Sequence, residues 1–280
     1  MSEKSILITG CSSGIGAAAV TTMKERGWTV FATARSDTDL ARLNAAGVTA
    51  LYLDYREPDS IVSVATQVLE ETGGKLFALY NNGAYGQLGA VEDLPTAALR
   101  EQFEANFFGW HDLTCRLLPS MRANGRGRIV QCSSVLGMVA MKHRGAYVAS
   151  KFALEGLSDA LRQELRGSGI HVSVIAPGPI ATKFLENALN AFYENINRDT
   201  SPHRDEYNLR EKRIKTGGAS AFKLQPSAVV DRLIHAVESD KPKPNYYVTT
   251  PTYLMNIARR LLSRKQLDWF LARTSDKEIR

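Results

Sequence analysis

Tyr147 and Lys151 stand four residues apart in a segment rich in helix-forming residues. On a helix, that spacing puts a phenol and an ammonium group on one face. A free tyrosine releases its proton near pH 10, too high for efficient proton exchange at neutrality. A neighbouring ammonium favours the tyrosinate and is expected to lower that value. A second constellation is Thr9-Gly10-Cys11-Ser12-Ser13-Gly14-Ile15-Gly16, which follows a short apolar run and leads into an alanine-rich stretch. Glycines at 10, 14 and 16 let the backbone turn sharply and approach a pyrophosphate at a helix N-terminus. In that strand–turn–helix context the loop is expected to bind a dinucleotide. Arg35 follows Gly16 by 19 residues, at the end of the next apolar run. An acidic side chain there would take the adenosine ribose hydroxyls, whereas a guanidinium can hold a 2′-phosphate through paired charge-assisted bonds. NADP is therefore expected over NAD, with Asp37 and Asp39 close by and acting against that choice.

The elements that must position these groups can be read from alternating patterns. Apolar runs at 6–8, 30–34, 50–53, 76–80, 128–131 and 171–175 carry too few charges for half-exposed strands and predict strands buried on both faces. Stretches 17–26, 61–71, 97–118 and 146–166 predict helices; Leu154, Leu157, Leu161 and Leu165 recur at helical spacing in the last, before Gly167 and Gly169. Such alternation implies an α/β fold, a doubly wound parallel sheet of Rossmann type, in a single domain over 1–280. After Pro177-Gly178-Pro179 the chain turns polar, and 182–224 reads as a loop-like substrate-lid insertion with short helical pieces. A helix near 227–238 and a strand near 246–249 close the fold. The basic tail, 253–280, mixes Leu261, Leu262, Trp269 and Phe270 with Arg259, Arg260, Arg264 and Lys265. Packing beside the lid is the favoured reading of this tail; resting on an anionic membrane is the other.

Composition narrows the classes. The chain has 280 residues, 44% hydrophobic and 23% charged, which excludes disordered, collagen-like and disulfide-stapled proteins. A net charge of +6 suits anionic partners such as a phosphorylated cofactor. No nucleic-acid module or basic–aromatic stripe accompanies it. Cys11, Cys115 and Cys132 are unclustered, so free thiols and a cytoplasmic location are expected, with no signal-like or spanning segment in view. His111, His143, His171, His203 and His235 show no metal-binding spacing and no metal is expected, although His143 borders Tyr147.

The G-x-x-x-G-x-G loop with Thr9 in front resembles that of the single-domain short-chain dehydrogenases and reductases. The resemblance implies a catalytic tetrad: Tyr147 with Lys151, Ser134 thirteen residues before Tyr147 to position the substrate oxygen, and Asn106 in Asn106-Phe107-Phe108-Gly109 to hold a water on the lysine side. It implies that Lys151 also holds the nicotinamide ribose, that the oxidised nicotinamide further favours tyrosinate at Tyr147, and that Asp54 meets the adenine edge. Asn82, Gly83 and Ala84 match the family's segment after strand four, with the last two small residues exchanged. Pro177, Gly178, Ile180 and Thr182 match the nicotinamide side. Ser12, Ser13 and Ile15 fall within the glycine loop. Within the family, the motifs look like the 17β-hydroxysteroid and retinol dehydrogenase branch and like bacterial NADP-dependent aldehyde reductases. The function implied is hydride transfer between NADP and an apolar carbonyl or alcohol, in a homodimer or homotetramer built on 97–118 and 146–166. The candidate pocket is mostly apolar: Tyr85, Leu88, Leu136, Met138, Val139, Met141, Phe184 and Phe192. A non-catalytic NADP-sensing regulator is the alternative, disfavoured because such proteins commonly lose the tyrosine.

Overall fold

A computed structural model of the chain describes residues 4–216 and 222–279, with side chains through residue 276. Its first half alternates β1 (Ser5–Ile8), α1 (Gly14–Glu25), β2 (Thr29–Ala34), α2 (Asp37–Ala45), β3 (Thr49–Tyr52), α3 (Pro58–Glu71) and β4 (Ala78–Asn81). It continues through α4 (Thr96–Phe103), α5 (Gly109–Ala123), β5 (Gly127–Cys132), α6 (Gly145–Glu164) and β6 (Ile170–Ala176). The remainder is α7 (Phe184–Asn195), α8 (Arg204–Lys215), α9 (Ser227–Glu238), β7 (Asn245–Tyr247), α10 (Thr250–Leu261) and α11 (Arg264–Ile279).

The strands form one parallel sheet in the order β3-β2-β1-β4-β5-β6-β7. Ile6 pairs with Val30 on one side and Ala78 on the other, so β1 lies at the point where the strand order reverses. Right-handed crossovers then place helices on both faces, and the crevice beyond the ends of β1 and β4 is where such sheets hold ligands. Every residue of β1 and β4 is buried, which accounts for their unbroken apolar character. The main core joins Ile6, Leu7, Ile8, Phe31, Leu79 and Trp110 with residues of α1, α3 and α9.

Three expectations change. The stretch 97–118 is not one helix: α4 passes through a π-helical turn, Glu104–Phe108, before α5. The extra residue in such a turn offsets the side chains on either side, a device that recurs at functional sites. The segment 182–224 is not loop-like. It folds into α7 and α8 over a small core of its own, Leu88, Ala90, Ala188, Leu189, Phe192, Ile196 and Tyr207, while 217–221 lie outside the described residues. Its two ends are tied where Ala181 N donates to Leu224 O (2.8 Å) and Leu224 N to Pro179 O (3.1 Å). The tail divides into α10 and α11, and Leu267 and Leu271 of α11 pack with Val139. Among the described residues, no helix is long and apolar enough to cross a membrane.

Candidate active site

At the switch point, two backbones approach too closely for side chains. A Cβ on Gly16 would lie 2.2 Å from the Gly10 carbonyl oxygen, and one on Gly10 would lie 2.4 Å from the Gly83 Cα. Gly10 and Gly14 also adopt φ of +68° and +58°, a region that glycine enters without strain. The Thr9 hydroxyl accepts from the backbone N–H groups of Asn82 (2.9 Å) and Gly83 (3.2 Å), and Asn82 Nδ2 donates to the Thr9 carbonyl (3.0 Å). These bonds fasten the end of β4 to the glycine loop.

The N-terminus of α1 is left open. Ser13 is its extended N-cap but makes no side-chain capping bond, and no acidic residue occupies the first turn. Uncapped N–H groups on a helix N-terminus suit a pyrophosphate, so the cradle fits a dinucleotide. Ser12 is exposed, whereas Ile15 and Ala84 pack on the core. Arg35 has a side chain 69% exposed, its Nη1 3.9 Å from Asp54 Oδ2. Asp54 itself is buried and receives Arg56 Nε (3.0 Å) and Nη2 (2.6 Å). Burial pushes the Asp54 carboxyl up, but its bonds to Arg56 and the charge of Arg35 outweigh this and hold it below the usual range. A second guanidinium escaped the sequence reading: Arg42 donates to the Ser12 carbonyl (2.8 Å) and pairs with Asp39 (2.9 Å).

The reactive groups meet where β5 ends and α6 begins. Tyr147 is 8% exposed and Ser134 lies beside its hydroxyl. Ser134 Oγ also accepts from Leu136 N at 3.1 Å, which fixes its orientation. Lys151 is buried; its Nζ donates to the Cys132 carbonyl (2.8 Å) and sits 4.2 Å from the Trp110 ring centroid and 5.7 Å from that of Tyr147. Burial pulls the Lys151 ammonium down to about 8, against the raising influence of Cys132 and Glu155. Trp110 was not singled out from sequence, yet it also donates Nε1–H to the Gly83 carbonyl (3.0 Å), linking the lysine to the segment after β4.

The chain's own groups do not lower the Tyr147 pKa. Burial raises it above the ordinary tyrosine value, helped by Cys132, and the neighbouring Ser134 hydroxyl and the charge of Arg144 only partly offset this. The phenol is consequently protonated throughout the neutral range. Asn106 lies in the π-helical turn and is fully buried, with Nδ2 donating to the Tyr85 carbonyl (2.8 Å) and Oδ1 accepting from Tyr85 N (3.3 Å). Its amide thus holds the segment after β4 in place.

The segment after β6 forms the remaining wall. The Pro177 carbonyl accepts from Val135 N (2.8 Å), and a Cβ on Gly178 would lie 2.1 Å from Thr249 Oγ1. Ile180 pairs with Leu224, and a Cβ on Gly14 would lie 2.9 Å from the Thr182 methyl, so this segment reaches the glycine loop. Phe184 then sets its ring 5.2 Å from that of Tyr147, tilted by 59°, and covers Gly86, placing the start of α7 against the tyrosine ring. Of the other candidate pocket residues, Leu88 and Phe192 belong to the core under α7 and α8, and Val139 to the contact with α11.

The histidines also differ from expectation. Sequence spacing shows no cluster, but the fold brings His143 and His203 to a ring separation of 5.3 Å and His143 Nε2 to 3.1 Å from Glu206 Oε2. One possible ligand atom from each of His143, His203 and Glu206 lies within 4.8 Å of the others. Burial and the nearby charges of Arg210, His203, Lys142 and Arg144 push His143 down to about 4. Positive neighbours that repel a proton also repel a metal cation.

A model of the short chain dehydrogenase family matches residues 4–191. The chain is 43% identical over 270 residues to the uncharacterized oxidoreductase YbbO of Escherichia coli, covering 96% of this chain and 94% of that one. It is similar to a solved short-chain dehydrogenase from Streptomyces avermitilis, with TM-score 0.81, 29% identity and 96% of each chain covered. It also matches an actinorhodin polyketide ketoreductase solved with NADPH, with TM-score 0.69, 26% identity, and 88% of this chain and 95% of that one covered. With the cofactor cradle between β1 and β4 and a serine, tyrosine and lysine gathered beyond β5, the chain belongs to the short-chain dehydrogenase/reductase family, oxidoreductases that use a nicotinamide cofactor.

Proposed function

We propose that this protein is an NADP-dependent reductase of apolar aldehydes or ketones. The observation that carries the reading is Tyr147: a buried phenol beside Ser134, protonated when a carbonyl arrives, can donate to the substrate oxygen. Ser134 and Tyr147 hydrogen-bond the substrate oxygen, increase the electrophilicity of the carbonyl carbon, and Tyr147 releases its proton to that oxygen. Lys151 holds the nicotinamide ribose and supports reprotonation of the phenol, with Asn106 ordering the proton path. Bound NADPH supplies the hydride. Phe184 against Tyr147 and the tied segment 182–224 support a lid that takes apolar groups better than sugars.

A screen of NADPH oxidation across aliphatic aldehydes, retinal, steroid ketones and sugars tests the reading. Turnover of apolar carbonyls with sugars inert is the expected result, and turnover confined to sugars rejects the proposed substrate class. Cofactor choice rests on Arg35. A charge-assisted bond contributes about 1.5–3 kcal/mol. Exposure of this side chain places the effect at the lower end, roughly tenfold in affinity. Arg35→Ala is expected to weaken NADPH by that factor and leave NADH unchanged, and Arg35→Asp to reverse the preference, in fluorescence titrations at fixed salt. An alanine variant that binds NADPH like wild type removes Arg35 from the phosphate site.

A further inference from the structure

The two tail helices meet very different surroundings. Met255 and Ala258 of α10 pack against the cluster of Val139, Leu267 and Leu271, which accounts for one side of the helix. Tyr253, Leu254, Ile257 and Leu261 of α10 remain 46%, 54%, 52% and 77% exposed. At 3.6 residues per turn these four fall within an arc of about 100°. An exposed stripe of large apolar residues this wide is a surface that another apolar phase covers.

Charge identifies the phase. Between Asp240 and Asp268 the chain contains six Lys and Arg residues and no Asp or Glu. Arg260 borders the apolar arc, and Arg264 and Lys265 follow where α11 begins. A second copy docked through the same face would bring Arg260, Arg264 and Lys265 toward their own copies across a two-fold axis, so self-association is opposed electrostatically. An anionic bilayer satisfies both features, taking aliphatic side chains at the acyl boundary and bases at the headgroups. We infer that α10 is a membrane-surface helix that docks this protein on anionic lipid. The helix starts beside Thr249, whose hydroxyl lies against Gly178 of the active site, so the docked surface adjoins the catalytic crevice.

Flotation of the full chain with phosphatidylcholine vesicles, with and without phosphatidylglycerol, tests this independently of any substrate. Wild type is expected to float with the anionic vesicles and to be released as salt rises. Ile257→Asp/Leu261→Asp should lower partitioning at least tenfold. Arg260→Gln/Arg264→Gln should lower it about twenty-fivefold, because each base near an anionic surface strengthens partitioning roughly fivefold. Unchanged NADPH titrations confirm that these exposed substitutions leave the fold intact, and Ile257→Gln/Leu261→Gln serves if the aspartates disturb it. The inference is overturned if wild type stays with neither vesicle at low salt, or if the apolar pair of substitutions leaves flotation unchanged. It is equally overturned if those substitutions dissociate an oligomer of a wild type that does not float, since the face is then a subunit interface.

Discussion

Tyr147→Phe is expected to lower turnover by about 10²–10⁴-fold, the range that a positioned general acid contributes, while NADPH binds as in wild type. The substitution removes one oxygen and keeps the ring, so the contact with the Phe184 ring at 5.2 Å persists. What disappears is the proton donor and one of two hydrogen bonds to the substrate oxygen. Ser134 keeps its own anchor from Leu136 N and still binds that oxygen, which leaves a residual rate instead of none. Losing one buried hydroxyl costs about 1 kcal/mol of stability, too little to unfold a domain of this size. Single-turnover rates with NADPH and an apolar aldehyde, set beside the NADPH dissociation constant, separate chemistry from binding. If the phenylalanine variant turns over within a few-fold of wild type, the proton comes from elsewhere and Tyr147 only shapes the pocket.

How far the site could be read from sequence depended on whether its parts are local. The glycine loop is a single strand–turn–helix, and Tyr147 and Lys151 share one helical turn, so their types and spacing carried the geometry. Three features depend on tertiary burial instead. The rise in the Tyr147 pKa comes from the depth at which α6 is packed, which spacing to Lys151 does not encode. Arg42 reaches the glycine loop from α2, a helix with only Leu43 buried and hence almost no apolar period to reveal it. α8 is similar, since it buries Tyr207 and Arg210 along a chiefly charged stretch. The break at Glu104–Phe108 lies within a continuous helical pattern, with no proline or glycine inside it to mark the change of winding. His143 and His203 are 60 residues apart and meet only once α8 folds back. The amphipathic stripe of α10 was visible as residues, but which side packs inward near Val139 and which remains open depends on the fold.

Lys151→Met should cost function and add stability in the same molecule. Wild type buries an ammonium whose ordinary pKa of 10.5 falls to about 8, with burial as the main cause. Below about pH 8 both the folded and unfolded chains carry this proton, so the burial cost is complete. Between about 8 and 10.5 the unfolded chain holds more protons than the folded one, and stability attributable to this group rises with pH. Methionine has similar length, carries no charge and can still lie against Trp110, although it leaves the Cys132 carbonyl without its 2.8 Å donor. Removing a buried charge that its contacts compensate only in part outweighs one lost hydrogen bond. A net gain of about 1 kcal/mol corresponds to a Tm increase of roughly 2–4 °C at pH 7. That advantage should shrink as both proteins are melted at rising pH toward 10, because wild type then sheds the charge that penalises it. The same variant loses the group assigned to the nicotinamide ribose and to phenol reprotonation, so weaker NADPH binding and a turnover loss of at least about 10²-fold accompany the gain. A variant whose Tm falls at pH 7, with a gap to wild type independent of pH, would show that Lys151 is held charged by compensating contacts and is not strained by burial.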